Sequence, residues 1–423
     1  MKLHRYILIL AAVLSAATAC TVSAGAVTVK TGLEVLEENN FDILQGKRVG
    51  LVTNPTGIDR NMRSTVDILY SAKNVNLVAL FGPEHGVRGD LHAGDYVPQN
   101  KDTKTGLPVY SLYGATRKPS EDMLKGIDVM VYDIQDNGCR SYTYISTLGL
   151  VMQACAEKGI EVVVLDRPNP LGGEKVEGSL VQDGFYSFVG MYPIPYIYGL
   201  TVGELALMIN GEGYARGQNG KEPFKQCKLT VVPMEGWTRD MTFSDTGLPW
   251  VPTSPQIPTA ETCFFYPATG ISGELGGFLS IGVGYTLPFQ LFTAEWIPSA
   301  DVFAEQLNAL KLPGVTFRPI NIQPFFGSGT GKEHHGVQIY ITDYSKVALT
   351  EIQFKVMEAT VKNYPGHKAF TAAESSYAMF DKVLGTDHIR KTLAKTYSFS
   401  SIAEFWRKDV AAFRALSKKY YLY

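Results

Sequence analysis

Short, strongly apolar runs alternate with segments of helical periodicity along the first half of the chain. Apolar runs of about four to eight residues bounded by Gly, Pro or Asn are typical of buried strands, and apolar residues spaced three or four positions apart are typical of helices. Strands that alternate with helices predict an α/β fold with a mostly parallel, Rossmann-like sheet. The predicted strands span residues 48–53, 76–81, 128–133, 160–165 and 229–233, and the predicted helices span residues 64–72, 144–158 and 201–210.

The pattern changes after a proline-dense segment at residues 249–258, which marks a domain boundary. Residues 270–284 are rich in glycine and poor in charge, residues 336–343 alternate as a strand does, and the chain from there to about Tyr420 has helical spacing. We therefore predict a Rossmann-like catalytic domain at residues 27–258, a smaller α+β domain at residues 259–423, and a cleft between the two.

The most informative strand end is the one at Gly82 and Pro83. Neither residue continues a central strand easily, and Glu84, His85 and Arg88 follow within five positions. Ligands of open α/β sheets bind at the carboxyl ends of the strands. A carboxylate, an imidazole and a guanidinium at such a strand end therefore indicate a functional site.

Polar residues follow the other predicted strands as well. Because the carboxyl ends of parallel strands share one edge of a sheet, these residues are expected to line one cleft. Asp133 and Asp166 could equally cap loops or pair with Arg140 and Arg167. The full set of candidates is Asn54, Glu84, His85, Arg88, Asp133, Asp136, Arg140, Tyr142, Tyr144, Asp166, Arg167 and Asn169, with His335 from the second half.

The N-terminus is typical of an export signal. Lys2 and Arg5 precede an apolar segment that is followed by small residues. Cleavage at the end of residues 1–26 would release the mature protein, whereas cleavage before Cys20 would leave this cysteine to carry a lipid anchor. We expect an exported protein of the periplasm or cell envelope.

Composition narrows the class of ligand. Charged residues make up 19% of the chain, the net charge is −2 and the basic residues are dispersed, so no nucleic-acid partner is expected. Tyrosines number 23 against four tryptophans, which suits either core packing or stacking on sugar rings. The cysteines after Cys20 lack C-x-x-C spacing, which argues against both a disulfide scaffold and a zinc ribbon.

Several reaction classes lack their motifs. No G-x-G-x-x-G motif follows the first strand, so no cofactor is expected. The G-x-S-x-G motif of serine hydrolases does not follow any predicted strand either. A metal-dependent amidase or deacetylase and a carbohydrate-binding protein without catalysis are the alternatives that stay open. Glu84, His85, Asp90, His92 and Asp95 are suitable metal ligands by type, but their spacing matches no zinc or calcium motif, and we predict no catalytic metal.

Several blocks of sequence resemble the exo-β-N-acetylmuramidase family, bacterial glycosidases that recycle peptidoglycan. The blocks are GLVTNPTG at residues 50–57, LFGPEHG at 80–86, VYSLYG at 109–114, DIQD at 133–136, YTYI at 142–145 and LDRPNP at 165–170. The resemblance extends to the C-terminal residues 418–423. It implies a cleft enzyme that releases terminal N-acetylmuramic acid from the non-reducing end of peptidoglycan fragments, with Glu84 as its catalytic glutamate.

The chain departs from this family at residues 273–286. The family usually shows E-G-T-N-x-S-E-G-R-G-T-T there, whereas this chain reads GELGGFLSIGVGYT. Ile281 and Val283 stand where the acidic and basic members of S-E-G-R are expected. Two charged groups are thus replaced by apolar side chains in the second domain.

Glycoside hydrolysis needs an acid that protonates the leaving oxygen and a second group on the opposite side. We assign Glu84 as the acid or acid/base, His85 as the residue that orients it or adjusts its proton affinity, and Asp133 as the second carboxylate. Asp166 and Asp136 are the next candidates for the second position.

N-acetylmuramic acid carries a lactyl carboxylate, for which a guanidinium is the best partner. Arg88, Arg140 and Arg167 are the candidates for this contact. Tyr142 and Tyr144 are expected to stack on the sugar ring or to support the oxocarbenium-like state.

Overall fold

The computed structural model describes residues 28–89, 100–327 and 329–423. The predicted signal peptide, Cys20 and three of the candidate metal ligands, Asp90, His92 and Asp95, lie outside these ranges. Within them, no helix is long and apolar enough to cross a membrane.

Seven strands of the first part of the chain form one sheet in the order β3-β4-β2-β1-β5-β6-β7. Six of them run parallel, and only the short edge strand β3 is antiparallel to its neighbour. The strand order reverses between β1 and β5, so the carboxyl ends of β1, β2 and β5 meet near one point. The strands are β1 (Arg48–Thr53), β2 (Asn76–Gly82), β3 (Asn100–Lys101), β4 (Pro108–Ser111), β5 (Val129–Asp133), β6 (Glu161–Leu165) and β7 (Leu229–Val232).

Helices cover both faces of this sheet. Helices α1 (Gly32–Glu38) and α2 (Thr65–Ser71) pack on one face, while α4 (Tyr144–Lys158) and α5 (Val202–Gly211) pack on the other, and the short α3 (Glu121–Leu124) leads into β5. Each face of the sheet has its own hydrophobic core, and successive strand residues contribute to the two cores in turn, because side chains alternate between the faces of a strand. The predicted α/β fold with a mostly parallel sheet is confirmed.

The helix ends follow the rules that the sequence suggests. Thr201 and Glu204 form the predicted capping box, in which each satisfies a backbone N–H of the other. Helix α4 ends at Gly159, whose φ of 72° is left-handed and suits glycine. These signals explain why the predicted helix boundaries agree with the structure.

The second half contains a smaller antiparallel sheet with the order β8-β10-β9. Its core is strongly aromatic and includes Phe292, Phe317 and Phe354. The strands are β8 (Leu291–Ala294), β9 (Val315–Ile322) and β10 (His334–Ile341), and the helices are α6 (Thr262–Gly273), α7 (Ala300–Asn308), α8 (Glu351–Asn363), α9 (Ala378–Leu384), α10 (His388–Thr396), α11 (Ser400–Arg407) and α12 (Val410–Ser417). Single 3₁₀ turns lie at Asp42–Leu44, Phe243–Asp245, Glu374–Tyr377 and Lys418–Tyr420.

The end of the chain returns to the first sheet. Phe413 of α12 is buried in the core formed with α4 and α5. The Tyr423 hydroxyl donates to Asp166 Oδ2 at 2.7 Å and accepts the backbone N–H of Met234, also at 2.7 Å. The two halves of the chain are therefore interlocked rather than arranged one after the other.

Arg140 ties the two halves together from a fully buried position. Its two terminal nitrogens donate to the carbonyl oxygens of Ser179 and Ile194 at 2.7 Å, and to those of Val383 and Leu384 at 3.0 and 2.8 Å. The predicted contact between Arg140 and a substrate carboxylate is not supported, because these nitrogens already bind four backbone carbonyls. Burial lowers the pKa of Arg140 to about 10, which keeps it charged at neutral pH.

Replacing Arg140 with methionine is expected to destabilise the fold severely. Arg140→Met would leave four buried carbonyl oxygens without donors, and each such group costs about 1–3 kcal/mol, so the total loss should exceed about 3 kcal/mol. Urea denaturation followed by circular dichroism measures it. Arg48→Met is the matched control, since Arg48 pairs with Asp128 at the surface, and it should leave the midpoint nearly unchanged. Equal midpoints for the two variants would contradict the structural role.

Candidate active site

A cavity of about 710 Å³ opens at the carboxyl ends of β2 and β5, between the large sheet and the second half of the chain. Its walls come from both halves, which matches the predicted cleft. The described residues that line it are Glu84, His85, Ser141, Tyr142, Thr143, Tyr144, Ser254, Pro255, Gln256, Tyr266, Phe289 and Phe326. Sequence analysis therefore located Glu84, His85, Tyr142 and Tyr144 but missed the other eight.

A tight turn directly after β2 places Glu84 in this cavity. A Cβ on Gly82 would lie 2.9 Å from the backbone nitrogen of Val87, so only glycine allows the chain to fold back this closely. The N–H of Gly86 closes the turn on the carbonyl of Pro83 at 3.0 Å. His85 itself has a left-handed φ of 72°, which is uncommon outside glycine. A constrained backbone thus presents Glu84 and His85 at the strand end.

Two neighbours hold the Glu84 carboxylate at the cavity wall. The hydroxyl of Thr143, at the start of α4, donates to Glu84 Oε2 at 3.5 Å. The phenol of Tyr113 lies on another side, where burial and then a hydrogen bond to Glu84 raise the pKa of Tyr113 to about 12. The phenol therefore stays protonated and can donate to the carboxylate.

Tyrosine and phenylalanine rings form the opposite wall. Tyr142 meets Tyr144 edge-on with ring centroids 5.0 Å apart, and meets Tyr266 of α6 in the same way at 5.7 Å. Tyr266 in turn contacts Phe289 at 4.9 Å. Ring faces and edges of this kind suit the apolar faces of a sugar. Stacking by Tyr142 stays a prediction, whereas Tyr144 is only 2% exposed and supports the wall from within.

The hydroxyls of these tyrosines hold a loop in place. Tyr142 donates to Thr253 Oγ1 at 2.7 Å, and Tyr144 donates to the backbone carbonyl of the same residue. The cavity-lining residues 254–256 follow directly. Burial raises the pKa of Tyr142 and Tyr144 well above the ordinary value, so both hydroxyls remain donors over the physiological range.

Asp133, predicted as the second carboxylate, is fully buried away from this cavity. It forms an ion pair with Arg167, whose Nη2 lies 2.9 Å from Asp133 Oδ2, and it also accepts the hydroxyl of Thr65. Arg167 Nη2 donates at 2.9 Å to the carbonyl of Ile58 as well. The structural pairing that the sequence left open as an alternative is thus observed, and both charges stabilise the loops behind the cavity.

The Asp133→Asn variant should therefore lose stability, whereas Glu84→Gln should not. Removing one partner of a buried ion pair costs about 3–5 kcal/mol because the other charge stays buried. Glu84 is only half-buried, and its hydrogen bond from Thr143 is long at 3.5 Å, so its amide should be tolerated. Urea denaturation of both variants beside Asp128→Asn, from a surface pair, checks this. A stable Asp133→Asn protein would show that the pair is not structural.

The other acidic candidates also bind neighbouring protein groups. Asp166 caps α5 by accepting the Thr201 hydroxyl and the Gly203 N–H, each at 2.7 Å. Asp136 accepts the Tyr198 hydroxyl and the Gly138 N–H within its loop. Burial raises the pKa of both carboxyls to about 6. Neither side chain lines the cavity around Glu84.

The remaining predicted ligands have local partners too. Arg88 Nε donates to Asp102 at 2.9 Å, Asn169 bridges the backbone of Leu200 and Leu171, and His335 on β10 pairs with Asn321 at 2.7 Å. None of the three is among the described lining residues of the cavity.

Asn54 lies nearer the site. It is buried beside Tyr144, and its Oδ1 accepts the backbone N–H and the hydroxyl of Thr56. It therefore supports the cavity wall from behind rather than lining the cavity itself.

The divergent residues 273–286 contribute to a separate cavity of about 350 Å³ at the edge of the second sheet. Ile281 is buried against Gly273 at the end of α6, and Val283 is partly exposed. Within the described ranges, no group of three or more His, Cys, Asp or Glu side chains is placed to hold a metal ion.

Comparison with known proteins identifies the family of this chain. The model of the exo-β-N-acetylmuramidase NamZ N-terminal domain matches residues 49–261, and the model of the C-terminal domain matches residues 264–423. The chain belongs to the exo-β-N-acetylmuramidase NamZ family. The resemblance found in the sequence blocks is thereby confirmed.

Relatives span nearly the whole chain. The peptidoglycan β-N-acetylmuramidase NamZ of Bacillus subtilis (strain 168) is 45% identical over 395 residues, which cover 93% of this chain and 91% of the relative. A crystallised DUF1343 family protein from Bacteroides fragilis NCTC 9343 is 54% identical with a TM-score of 0.88, covering 94% of this chain and 99% of its own. Another from the same organism is 31% identical with a TM-score of 0.72, covering 93% and 99%.

Proposed function

We propose that this member of the NamZ family is an exo-acting glycoside hydrolase that releases terminal N-acetylmuramic acid from the non-reducing end of peptidoglycan fragments. The observation that carries the proposal is Glu84, a carboxyl group held by Thr143 and Tyr113 at the wall of an aromatic cavity. The 45% identity to a peptidoglycan β-N-acetylmuramidase supports this substrate class.

Glu84 acts as the general acid in this mechanism. It protonates the glycosidic oxygen as the bond to the sugar breaks, and the Tyr142 and Tyr266 rings pack against the sugar while positive charge develops at its anomeric carbon. The hydroxyls of Thr143 and Tyr113 orient the carboxyl group of Glu84 at the cavity wall. His85, beside it on the same turn, lines the cavity and orients the leaving group.

The second group in the mechanism comes from the substrate. Glu84 is the one carboxylate among the cavity-lining residues that the structure describes, and Asp133 is committed to Arg167. N-acetyl sugars carry an acetamido oxygen that can attack their own anomeric carbon, as in substrate-assisted glycosidases. In our proposal this oxygen displaces the leaving group and water then opens the cyclic intermediate.

The activity is tested with a chromogenic β-N-acetylmuramide and purified residues 27–423. The protein should hydrolyse the muramide, and Glu84→Gln should lower kcat at least about 100-fold because an amide cannot deliver the proton. Glu121→Gln, at an exposed glutamate, is the matched control and should retain full activity. The corresponding N-acetylglucosaminide tests the sugar preference.

The same assay separates the alternatives. Binding of the muramide without turnover by the folded protein would favour a carbohydrate-binding role, and activity that EDTA abolishes would favour a metal-dependent enzyme. Full activity in Glu84→Gln would refute the assignment of the acid.

Proton NMR of the first product formed should show the β anomer of N-acetylmuramic acid. Participation of the acetamido oxygen inverts the anomeric carbon once and water inverts it again, so the configuration is retained. A spectrum recorded within the first minutes, before mutarotation, is compared with that of the equilibrated sugar. Initial release of the α anomer would exclude the substrate-assisted route and would call for a carboxylate base instead.

We also propose that the protein works outside the cytoplasm, where peptidoglycan lies. The signal-like residues 1–26 and the substrate class support this location. N-terminal sequencing of protein recovered from the cell envelope would show a start at Val27 or at a blocked Cys20, and recovery only from cytosol with an intact Met1 would contradict it.

A further inference from the structure

A second cavity, of about 670 Å³, adjoins the one that holds Glu84. Thr143 lines both cavities, and its hydroxyl is the one bound to Glu84. Tyr113 lines the second cavity, and its hydroxyl reaches Glu84 in the first. A sugar seated against Glu84 therefore has room for a substituent beside it, across these two side chains.

This second cavity carries a guanidinium that has only neutral partners. The Arg117 Cζ lies 4.2 Å above the ring of Phe188, and Nη1 donates to Gln218 Oε1 at 2.9 Å. The Nε of Arg117 is buried and has no hydrogen-bond acceptor. A ring face and an amide fix the guanidinium without cancelling its charge.

The charges around Arg117 leave the cavity positive. Lys118 and Glu222 also line it, and Lys118 is paired with Glu222 and with Glu157. Lys382, just before the end of α9, lines the cavity from the second half and makes no ion pair within the part of the chain that the structure describes. Arg117 and Lys382 therefore supply positive charge that no described carboxylate neutralises.

Tyr113 shows how close this charge lies to the reacting centre. Glu84 raises the pKa of the Tyr113 phenol and Arg117 lowers it, after the larger effect of burial. Tyr113 and Arg117 line the same cavity, which also includes Thr143, the residue whose hydroxyl binds Glu84. The three arginines that the sequence suggested for the lactyl carboxylate already have protein partners. Arg88 pairs with Asp102, Arg140 binds backbone carbonyls, and Arg167 pairs with Asp133.

We propose that Arg117, with Lys382 beside it, binds the lactyl carboxylate of the terminal muramic acid and so selects this sugar over N-acetylglucosamine. The inference rests on the proposed function for the identity of the sugar. The cavity contributes a charge-assisted contact to a group that N-acetylglucosamine lacks, and the planar guanidinium can bind both carboxylate oxygens. Arg117 is a specificity residue here and takes no part in proton transfer.

The test measures binding, so it does not depend on turnover. Isothermal titration of Glu84→Gln protein with N-acetylmuramic acid, its methyl ester and N-acetylglucosamine gives three affinities. Arg117→Gln in this background should lower the affinity for the acid about tenfold or more. The affinities for the two neutral ligands should change less than about twofold, because a lost charge-assisted bond affects only the charged ligand. Arg216→Gln, at another arginine stacked on a phenylalanine, is the matched control.

The outcomes separate this inference from the proposed function. The inference is overturned if Arg117→Gln lowers the affinity for all three ligands equally. It is also overturned if the Glu84→Gln protein binds the acid no more tightly than its ester, even if the muramide is hydrolysed by the unmodified protein. The unmodified protein could also fail to hydrolyse the muramide while binding still shows an Arg117-dependent preference for the acid. That result would support the inference and contradict the proposed enzymatic function. Lys382→Gln should also lower the affinity for the acid. Thermal melting confirms that each variant is folded.

Discussion

The buried guanidinium of Arg140 sets the relation between the two walls of the cleft. It binds carbonyls of the loop that precedes Tyr196 and carbonyls at the end of α9, which belong to different halves of the chain. A buried cation cannot release such partners without a large desolvation cost. Because Ser141, Tyr142 and Thr143 follow it directly, the same interaction fixes the wall that faces Glu84. The described part of this wall is therefore held in place by the core of the protein.

Strands whose residues are buried on both faces were predictable, because their apolar runs end at a polar or turn-forming residue, namely Asn54, Gly82, Asp133 and Asp166. β1, β2, β5 and β6 agree with the prediction within about one residue, and α4 agrees at both ends. Several short or half-buried strands were missed. β3 has two residues, β4 is only partly buried, and β9 mixes Arg318 and Asn321 with apolar residues, so none has the continuous apolar run that identifies a buried strand.

The site was most predictable where one strand end carried the information. Glu84 and His85 follow β2 directly, and the tight turn at Gly82 leaves them little choice of direction. Asp133 and Arg167 also follow strands, but they turn inward to pair with each other, 34 residues apart in sequence. A strand end thus predicts proximity to the cleft but not which way a side chain points. Arg117 and Tyr266 lie outside strand ends, and only tertiary packing brings Tyr266 to the cavity of Glu84 and Arg117 to the adjoining one.

The return of the C-terminus to the first sheet also has a consequence for folding. Tyr423 contacts Asp166 across 257 positions, and Phe413 belongs to a core that includes residues of β5, α4 and α5. The first sheet therefore gains its full set of contacts only when the C-terminal residues have docked on it. Contacts of such long sequence separation form slowly, because a long loop must close first. Although two family models divide the sequence in the middle, loss of the last helix would uncover part of the core of the first half as well.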